Sequence, residues 1–145
     1  MLLHKSKIAK FLILASALFA PVSCKDDVGA DFLVPEVPFT VYMSSTEILS
    51  MGNNTAITLN NGGMMGLIVY KVSFDEFHAY ERLCTNYPAD TAAVVLDPQT
   101  MVATCPKCKS TFHILMGGEV TKGPARYALK EYQTTLTGGR LIISN

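Results

Sequence analysis

The sequence lacks the residue patterns that mark most enzymes and most nucleic-acid-binding proteins. It has no glycine-rich phosphate-binding loop, no Ser-His-Asp arrangement suited to nucleophilic catalysis and no convincing pair of catalytic carboxylates. Its 145 residues balance 12 basic against 12 acidic side chains. A chain without a basic excess does not favour nucleic acid as a partner, because phosphate binding needs a basic face. The length predicts one domain, with no separate catalytic domain.

A long helical period is also missing after the first 23 residues. Short apolar and β-branched stretches are separated by Gly, Asn and Pro, which is typical of a small all-β barrel or sandwich. The clearest strand covers residues 66–72, and residues 74–80 are its predicted hairpin partner. Residues 46–50 fit either a strand or a short helical turn. Further strands are predicted at 39–42, 56–59, 94–96, 101–104, 111–115 and in a closing hairpin over 128–143.

The first 23 residues are predicted to be a secretory signal and not part of the domain. Three lysines and no acidic residue precede the apolar run 11–20, and a small residue precedes Cys24. The run is too short to span a bilayer, which needs about 20 apolar residues. The end of the run resembles a bacterial lipobox, with Pro21 where that motif usually has Leu. The resemblance implies that Cys24 is lipidated and anchors the protein to a membrane without spanning it.

The residues after Cys24 predict where the protein is located. Lys25-Asp26-Asp27 resembles the surface-export signal of lipoproteins in the Bacteroidetes group, which implies an outer-membrane lipoprotein of the cell envelope, displayed at the surface. Residues 24–39, with their charges and two prolines, are predicted to be a tether, and residues 40–145 to be the domain. Removal of the signal leaves nine basic and 12 acidic side chains, which argues further against nucleic acid.

The cysteine count favours a site of three thiols in the domain. If Cys24 carries lipid, Cys84, Cys105 and Cys108 remain. Export places them in an oxidising environment, where disulfides persist. Three is an odd number, so it fits a set of metal ligands at least as well as a disulfide framework.

Two cysteine boxes resemble those of the Rieske iron–sulfur family. They are Cys84-Thr85-Asn86 and Cys105-Pro106-Lys107-Cys108, and they are followed in the family's order by Ser110-x-Phe112, Gly118-Glu119-Val120 and Gly123-Pro124. The resemblance covers roughly residues 40–145. It implies a small antiparallel β domain, both boxes in loops at its tip, a [2Fe–2S] cluster, and a Gly123-Pro124 loop that covers the cluster.

Two of the four ligand positions depart from that family. In a Rieske domain one Cys from each box holds one iron, and one His from each box holds the other iron. Cys84 and Cys105 stand at the two Cys positions, but Asn86 and Cys108 stand at the two His positions. An amide oxygen is a poor iron ligand beside thiolate or imidazole, so the family's chemistry does not transfer unchanged.

Three interpretations of the site stay open. In the first, Cys84, Cys105 and Cys108 bind a [2Fe–2S] cluster with a further ligand, at a lower potential than in ordinary Rieske proteins. The candidates for that ligand are His113, Tyr87 and Asp90. In the second, the same thiolates bind structural zinc.

In the third interpretation no metal is bound. The resemblance then implies a disulfide between Cys84 and Cys105, while Cys105 and Cys108 are an alternative pair. A cluster indicates an electron-transfer or redox module that needs a redox protein partner. Zinc or a disulfide indicates a structural or binding module of the cell envelope.

Overall fold

The computed structural model describes residues 33–86 and 91–145. The predicted signal and its lipidation site Cys24 lie outside the described residues, as do Tyr87, Asp90 and most of the predicted tether. In the described part of the chain, no helix is both long and apolar enough to cross a membrane.

The described residues form ten strands, one α-helix and a 3-10 helix. In chain order these are β1 (Thr40–Met43), α1 (Ser45–Ser50), β2 (Thr55–Leu59), β3 (Leu67–Lys71), β4 (Phe77–Glu81), β5 (Val95–Asp97), β6 (Val102–Thr104), β7 (Thr111–His113), the 3-10 helix (Ile114–Met116), β8 (Glu119–Lys122), β9 (Glu131–Thr137) and β10 (Arg140–Ser144).

The strands make two antiparallel sheets. One sheet has six strands in the order β1-β10-β9-β4-β3-β2, and the other has four in the order β5-β6-β7-β8. Every strand pair is antiparallel. The four-stranded sheet lies in sequence between β4 and β9 of the larger sheet. It carries the second cysteine box between β6 and β7, while the first box follows β4.

The strand β3 belongs to both hydrophobic cores of the domain. It is buried along its whole length, because it lies between β2 and β4 and both of its faces are covered. Successive side chains of a strand point to opposite faces. Leu67 and Val69 therefore enter one core with β1 and β10, and Ile68 enters the other core with the four-stranded sheet. Cys84 and Cys105 also lie in that second core.

The predicted all-β antiparallel class is confirmed, with one open alternative decided and two differences in detail. Residues 45–50 form α1, because Ser44 and Glu47 make a reciprocal capping box that satisfies the first backbone N–H groups of a helix. Residues 73–75 form a turn, so β4 begins only at Phe77. The strand predicted over 111–115 ends at His113, where the chain enters the 3-10 helix.

A buried carboxylate at the end of β4 joins three separate parts of the chain. Glu81 is fully buried. Its oxygens accept hydrogen bonds from the backbone N–H groups of Met64 at 2.7 Å, Met65 at 3.0 Å and Leu83 at 2.9 Å, and from the hydroxyl of Tyr132 at 2.8 Å. Gly63 has a φ of +61°, and a Cβ there would collide with this carboxylate. The turn before β3, the start of the first cysteine loop and β9 are thus fixed on one side chain.

We expect Glu81→Ala to destabilise the domain strongly. The substitution leaves four donors without their acceptor, and each buried unsatisfied group costs about 1–3 kcal/mol. The free energy of unfolding, measured by urea denaturation, should fall by about 3 kcal/mol or more. The control Glu119→Ala removes an exposed carboxylate and should change the free energy by less than about 0.5 kcal/mol. Equal effects of the two substitutions would contradict this role of Glu81.

Candidate metal centre

The first cysteine box begins in a short antiparallel bridge. Leu83 pairs with Ala93, the N–H of Cys84 donates to the carbonyl of Ala92 at 2.9 Å, and the loop returns toward β5. The Thr85 hydroxyl donates to the carbonyl of Tyr127 at 2.6 Å. Cys84 is 1% exposed. The backbone bond to Ala92 and the Thr85–Tyr127 bond therefore fix the position of the Cys84 thiol in the second core.

The second cysteine box is a tight turn between β6 and β7. The N–H of Cys105 donates to the carbonyl of Ser110 at 2.9 Å, and the N–H of Lys109 donates back to the carbonyl of Cys105 at 3.0 Å. Lys109 has a φ of +62°, a conformation that favours glycine. Cys105 is 1% exposed, whereas Cys108, further round the turn, is half-buried.

The two turns bring three sulfur atoms together. The Sγ atoms of Cys84, Cys105 and Cys108 all lie within 4.8 Å of one another. The Sγ atoms of Cys84 and Cys108 are 3.5 Å apart, and all three cysteines are free of disulfides. Three convergent thiol groups form a donor set for soft metals, because thiolate is the ligand that these metals prefer.

Ser110 links the cysteines to the loop that contains Gly123 and Pro124. It is fully buried, and its Oγ accepts a hydrogen bond from the N–H of Ala125 at 2.9 Å. The Ser110 Oγ also lies 3.1 Å from the Sγ of Cys108. Since the oxygen accepts from Ala125, the hydroxyl proton remains available to donate to a thiolate at Cys108. Gly123 and Pro124 are exposed and are fixed beside the second box by this contact.

The surroundings of Cys84 and Cys108 shift the pKa values of their thiols in opposite directions. Burial in the core raises the pKa of Cys84 to about 12, and the neighbouring thiols of Cys105 and Cys108 add to the rise. Burial acts to raise the pKa of Cys108, but hydrogen bonds from the side chain and backbone of Ser110, together with those from the thiols of Cys105 and Cys84, outweigh it and lower this pKa to about 7. Cys108 is thus a thiolate for much of the time at neutral pH, while Cys84 is protonated unless a cation displaces its proton.

The structure does not bring His113 to the three sulfurs. His113 ends β7 on the side away from the cysteine turn, opposite Val102 and Glu119, and it is not part of the group of three thiols. Its Nδ1 is buried without a hydrogen-bond partner among the described residues. Asn86 is the last residue of the first box, and its amide Nδ2 is likewise buried and without a partner in the described part of the chain. An amide nitrogen is a donor and cannot replace the imidazole ligand.

The surface around the cysteines is basic although the domain is not. Residues 105–130 contain five basic side chains and one acidic one, whereas the other residues from 33 to 145 contain three basic and eight acidic ones. Four of the five basic side chains are exposed on the second cysteine turn, at the end of β8 and in the loop after Pro124, namely Lys107, Lys109, Lys122 and Arg126. A rim of one charge sign favours an oppositely charged partner.

The sequence does not predict the structural roles of Ser110 and Glu81. Ser110 is recognisable as a motif residue, but its contacts with the Cys108 sulfur and the Ala125 N–H depend on how two loops pack. Glu81 has only a weak signal in the sequence, which is an acidic side chain in a stretch where neighbouring strand residues are apolar or aromatic.

We expect Ser110→Ala to raise the pKa of Cys108 in the metal-free protein. The substitution removes the hydroxyl that stabilises the thiolate, so the pKa should return toward the ordinary value of about 8.5. The pH dependence of iodoacetamide alkylation at Cys108, followed by peptide mass spectrometry, should move from a midpoint near the pKa of about 7 to a higher pH. Ser73→Ala, which alters a half-buried hydroxyl bonded to Asp75, should leave the midpoint unchanged. An unshifted midpoint in Ser110→Ala would contradict the assignment.

No protein-family model matches the chain, and no curated protein matches it. Among solved structures, it is similar to the ferredoxin of carbazole 1,9a-dioxygenase from Nocardioides aromaticivorans IC177, with a TM-score of 0.48 and 15% identity over 74% of this chain and 97% of the other. It is also similar to a chain in the complex of reduced oxygenase and oxidized ferredoxin in carbazole 1,9a-dioxygenase, with a TM-score of 0.47, 22% identity and coverages of 72% and 93%. A third similar structure is the Sphingomonas yanoikuyae B1 ferredoxin, with a TM-score of 0.46, 23% identity and coverages of 68% and 92%.

Proposed function

We propose that this protein is a metal-binding module of the cell envelope in which Cys84, Cys105 and Cys108 hold one thiolate-bound metal ion, with zinc as the preferred ion. The observation that carries the proposal is the convergence of the three sulfurs within 4.8 Å. Three sulfurs at the Zn–S distance of about 2.3 Å from one tetrahedral ion lie about 3.8 Å apart. The contact of 3.5 Å between Cys84 and Cys108 is close to that spacing.

The same geometry fits a Rieske-type cluster less well. Cys108 stands at a His position of that family, and would therefore hold a different iron from Cys84. Ligands on two different irons lie farther apart than ligands on one ion, because the iron–iron separation is added between them. Asn86 stands at the other His position of the Rieske pattern, and its amide is not a suitable iron ligand. The donor set thus fits a single soft ion better than a two-iron cluster.

A tetrahedral zinc ion takes one further ligand beside the three sulfurs, and a water molecule or a carboxylate oxygen is acceptable to zinc in that position. Of the candidates for this ligand, Tyr87 and Asp90 lie outside the described residues. The bound ion joins the loop after β4 to the turn between β6 and β7. Since a structural ion contributes its binding free energy to folding, it stabilises the second core from the surface side.

The proposed module is lipid-anchored through Cys24 in the outer membrane, with its acidic body on a tether and its basic rim exposed. The rim consists of exposed basic side chains that include Lys109 in the second cysteine turn, Lys122 at the end of β8 and Arg126 next to Ala125. This rim would attract an acidic protein partner by long-range electrostatics. Iron in the same site would make that partner a redox protein, whereas zinc would make the module a binding component of the envelope.

Metal loading should decide between these forms of the site. We expect the full-length protein purified without oxygen to contain about one zinc per chain, and chelation to lower its midpoint of thermal unfolding. Cys108→Ser should abolish stoichiometric zinc, whereas Ser73→Ala should retain it. About two irons with matching sulfide and a visible charge-transfer absorbance would instead establish a [2Fe–2S] electron-transfer centre. A purified protein that contains neither zinc nor iron would contradict the proposal.

Lipidation should be tested separately from metal binding. In cells given a radiolabelled fatty acid, the wild-type protein should be labelled and sediment with the outer membrane, because acyl chains anchor it. Cys24→Ala should lose both the label and the sedimentation. Cys105→Ser is the matched control, since it removes another thiol and should keep both. A Cys24→Ala protein that is still labelled would overturn the anchor.

A further inference from the structure

The three thiols differ in their access to solvent. Cys84 and Cys105 are each 1% exposed, so a reagent cannot reach their sulfurs in the folded domain. Cys108 is half-buried and lies in a turn whose other members, Pro106, Lys107 and Lys109, are exposed. An oxidant in solution therefore meets Cys108 first.

The position of Cys84 makes it the partner of an oxidised Cys108. Their sulfurs are 3.5 Å apart, and a disulfide needs an S–S distance of about 2.05 Å. The remaining movement is about 1.5 Å, and it can be made by the exposed turn of Cys108 while Cys84 stays in the core. Cys105 is less suited, because its N–H and its carbonyl both bond within the same turn as Cys108.

We propose that Cys108 and Cys84 form a reversible disulfide by exchange with a small-molecule disulfide, and that this reaction empties the metal site. The metal part of this inference rests on the proposed function. The pair Cys84–Cys108 differs from both pairs that the sequence suggested. A site that needs three thiolates has one left after the reaction, so the metal ion leaves and Cys105 remains as a free thiol.

The reaction balances in two steps. The Cys108 sulfur attacks one sulfur of the small-molecule disulfide RSSR, which forms a bond from Cys108 to RS, breaks the RS–SR bond and releases one RSH with the proton of Cys108. The Cys84 sulfur then attacks Cys108, which forms the Cys84–Cys108 bond and releases the second RSH with the proton of Cys84. The metal-free protein loses two electrons and two protons, and RSSR gains both. Starting from metal-bound thiolates, the same two-electron transfer releases two RS⁻ and the metal ion. An excess of RSH reverses the reaction.

Fragment mapping distinguishes the three possible pairs. The metal-free full-length protein is equilibrated in oxidised glutathione, its remaining thiol is blocked, and it is cut with cyanogen bromide after Met101 and with trypsin after Lys107. These cuts place each thiol on a different fragment. We expect Cys84 linked to the dipeptide 108–109 and one blocked thiol at Cys105. A link from Cys105 to either other cysteine, or no link, would overturn the proposal.

Single substitutions test the order of the steps and separate this inference from the proposed function. Cys108→Ser should form no disulfide, and Cys84→Ser should accumulate one glutathione on Cys108. Cys105→Ser should lose zinc but still form the Cys84–Cys108 disulfide. If the wild-type protein never binds zinc and the disulfide forms, only the proposed function fails. If zinc binds and is retained at one ion per chain after oxidation by glutathione disulfide, this inference fails alone.

Discussion

The buried carboxylate of Glu81 fixes the positions of three segments of the domain. A carboxylate placed in a dry core is costly unless its oxygens are satisfied by donors. Glu81 receives four of them, from Met64, Met65, Leu83 and Tyr132. These donors belong to a turn, to a loop and to another strand, so the carboxylate fixes three segments in one position. Leu83 is directly followed by Cys84, and the anchor therefore sets where the first cysteine loop begins.

The cysteine site combines two buried thiols, Cys84 and Cys105, with the partly exposed thiol of Cys108. Cys84 and Cys105 belong to the second hydrophobic core, which holds their sulfurs at defined places. Cys108 lies on the solvent side of the tight turn, where Ser110 contacts its sulfur. A metal ion and a Cys84–Cys108 disulfide would both join the same two loops. Both forms of the site are therefore compatible with one backbone arrangement, and the choice between them depends on access to Cys108.

The sequence predicted the elements better than it predicted the contacts between them. Strands such as β3 have a local signature of apolar, β-branched residues between turn residues, and the all-β class followed from it. The helix α1 was readable in principle, because Ser44 and Glu47 are spaced as a capping box. The approach of Cys84 to Cys108 has no local signature, since it depends on how two distant loops pack. The burial of Glu81 lacks one for the same reason.

Of the ligand candidates predicted from the sequence, the structure brings the three cysteines together but not His113. The grouping of Cys84, Cys105 and Cys108 followed from the order of the two boxes, and the structure places these thiols together. His113 was a candidate because it is near the second box in sequence. A strand extends about 3.3 Å per residue, so β7 takes His113 away from the turn, to the end where it faces Glu119. Nearness in sequence is a poor guide to a ligand once a strand intervenes.

X-ray absorption at the edge of the bound metal tests the central claim most directly. We expect about three sulfur neighbours at about 2.3 Å, one lighter neighbour, and no metal atom in the next shell. The same sample after oxidation by glutathione disulfide should lose this signal together with the metal. A short metal–metal distance would show a cluster in place of a single ion, and a spectrum without sulfur neighbours would contradict the assignment of Cys84, Cys105 and Cys108 as ligands.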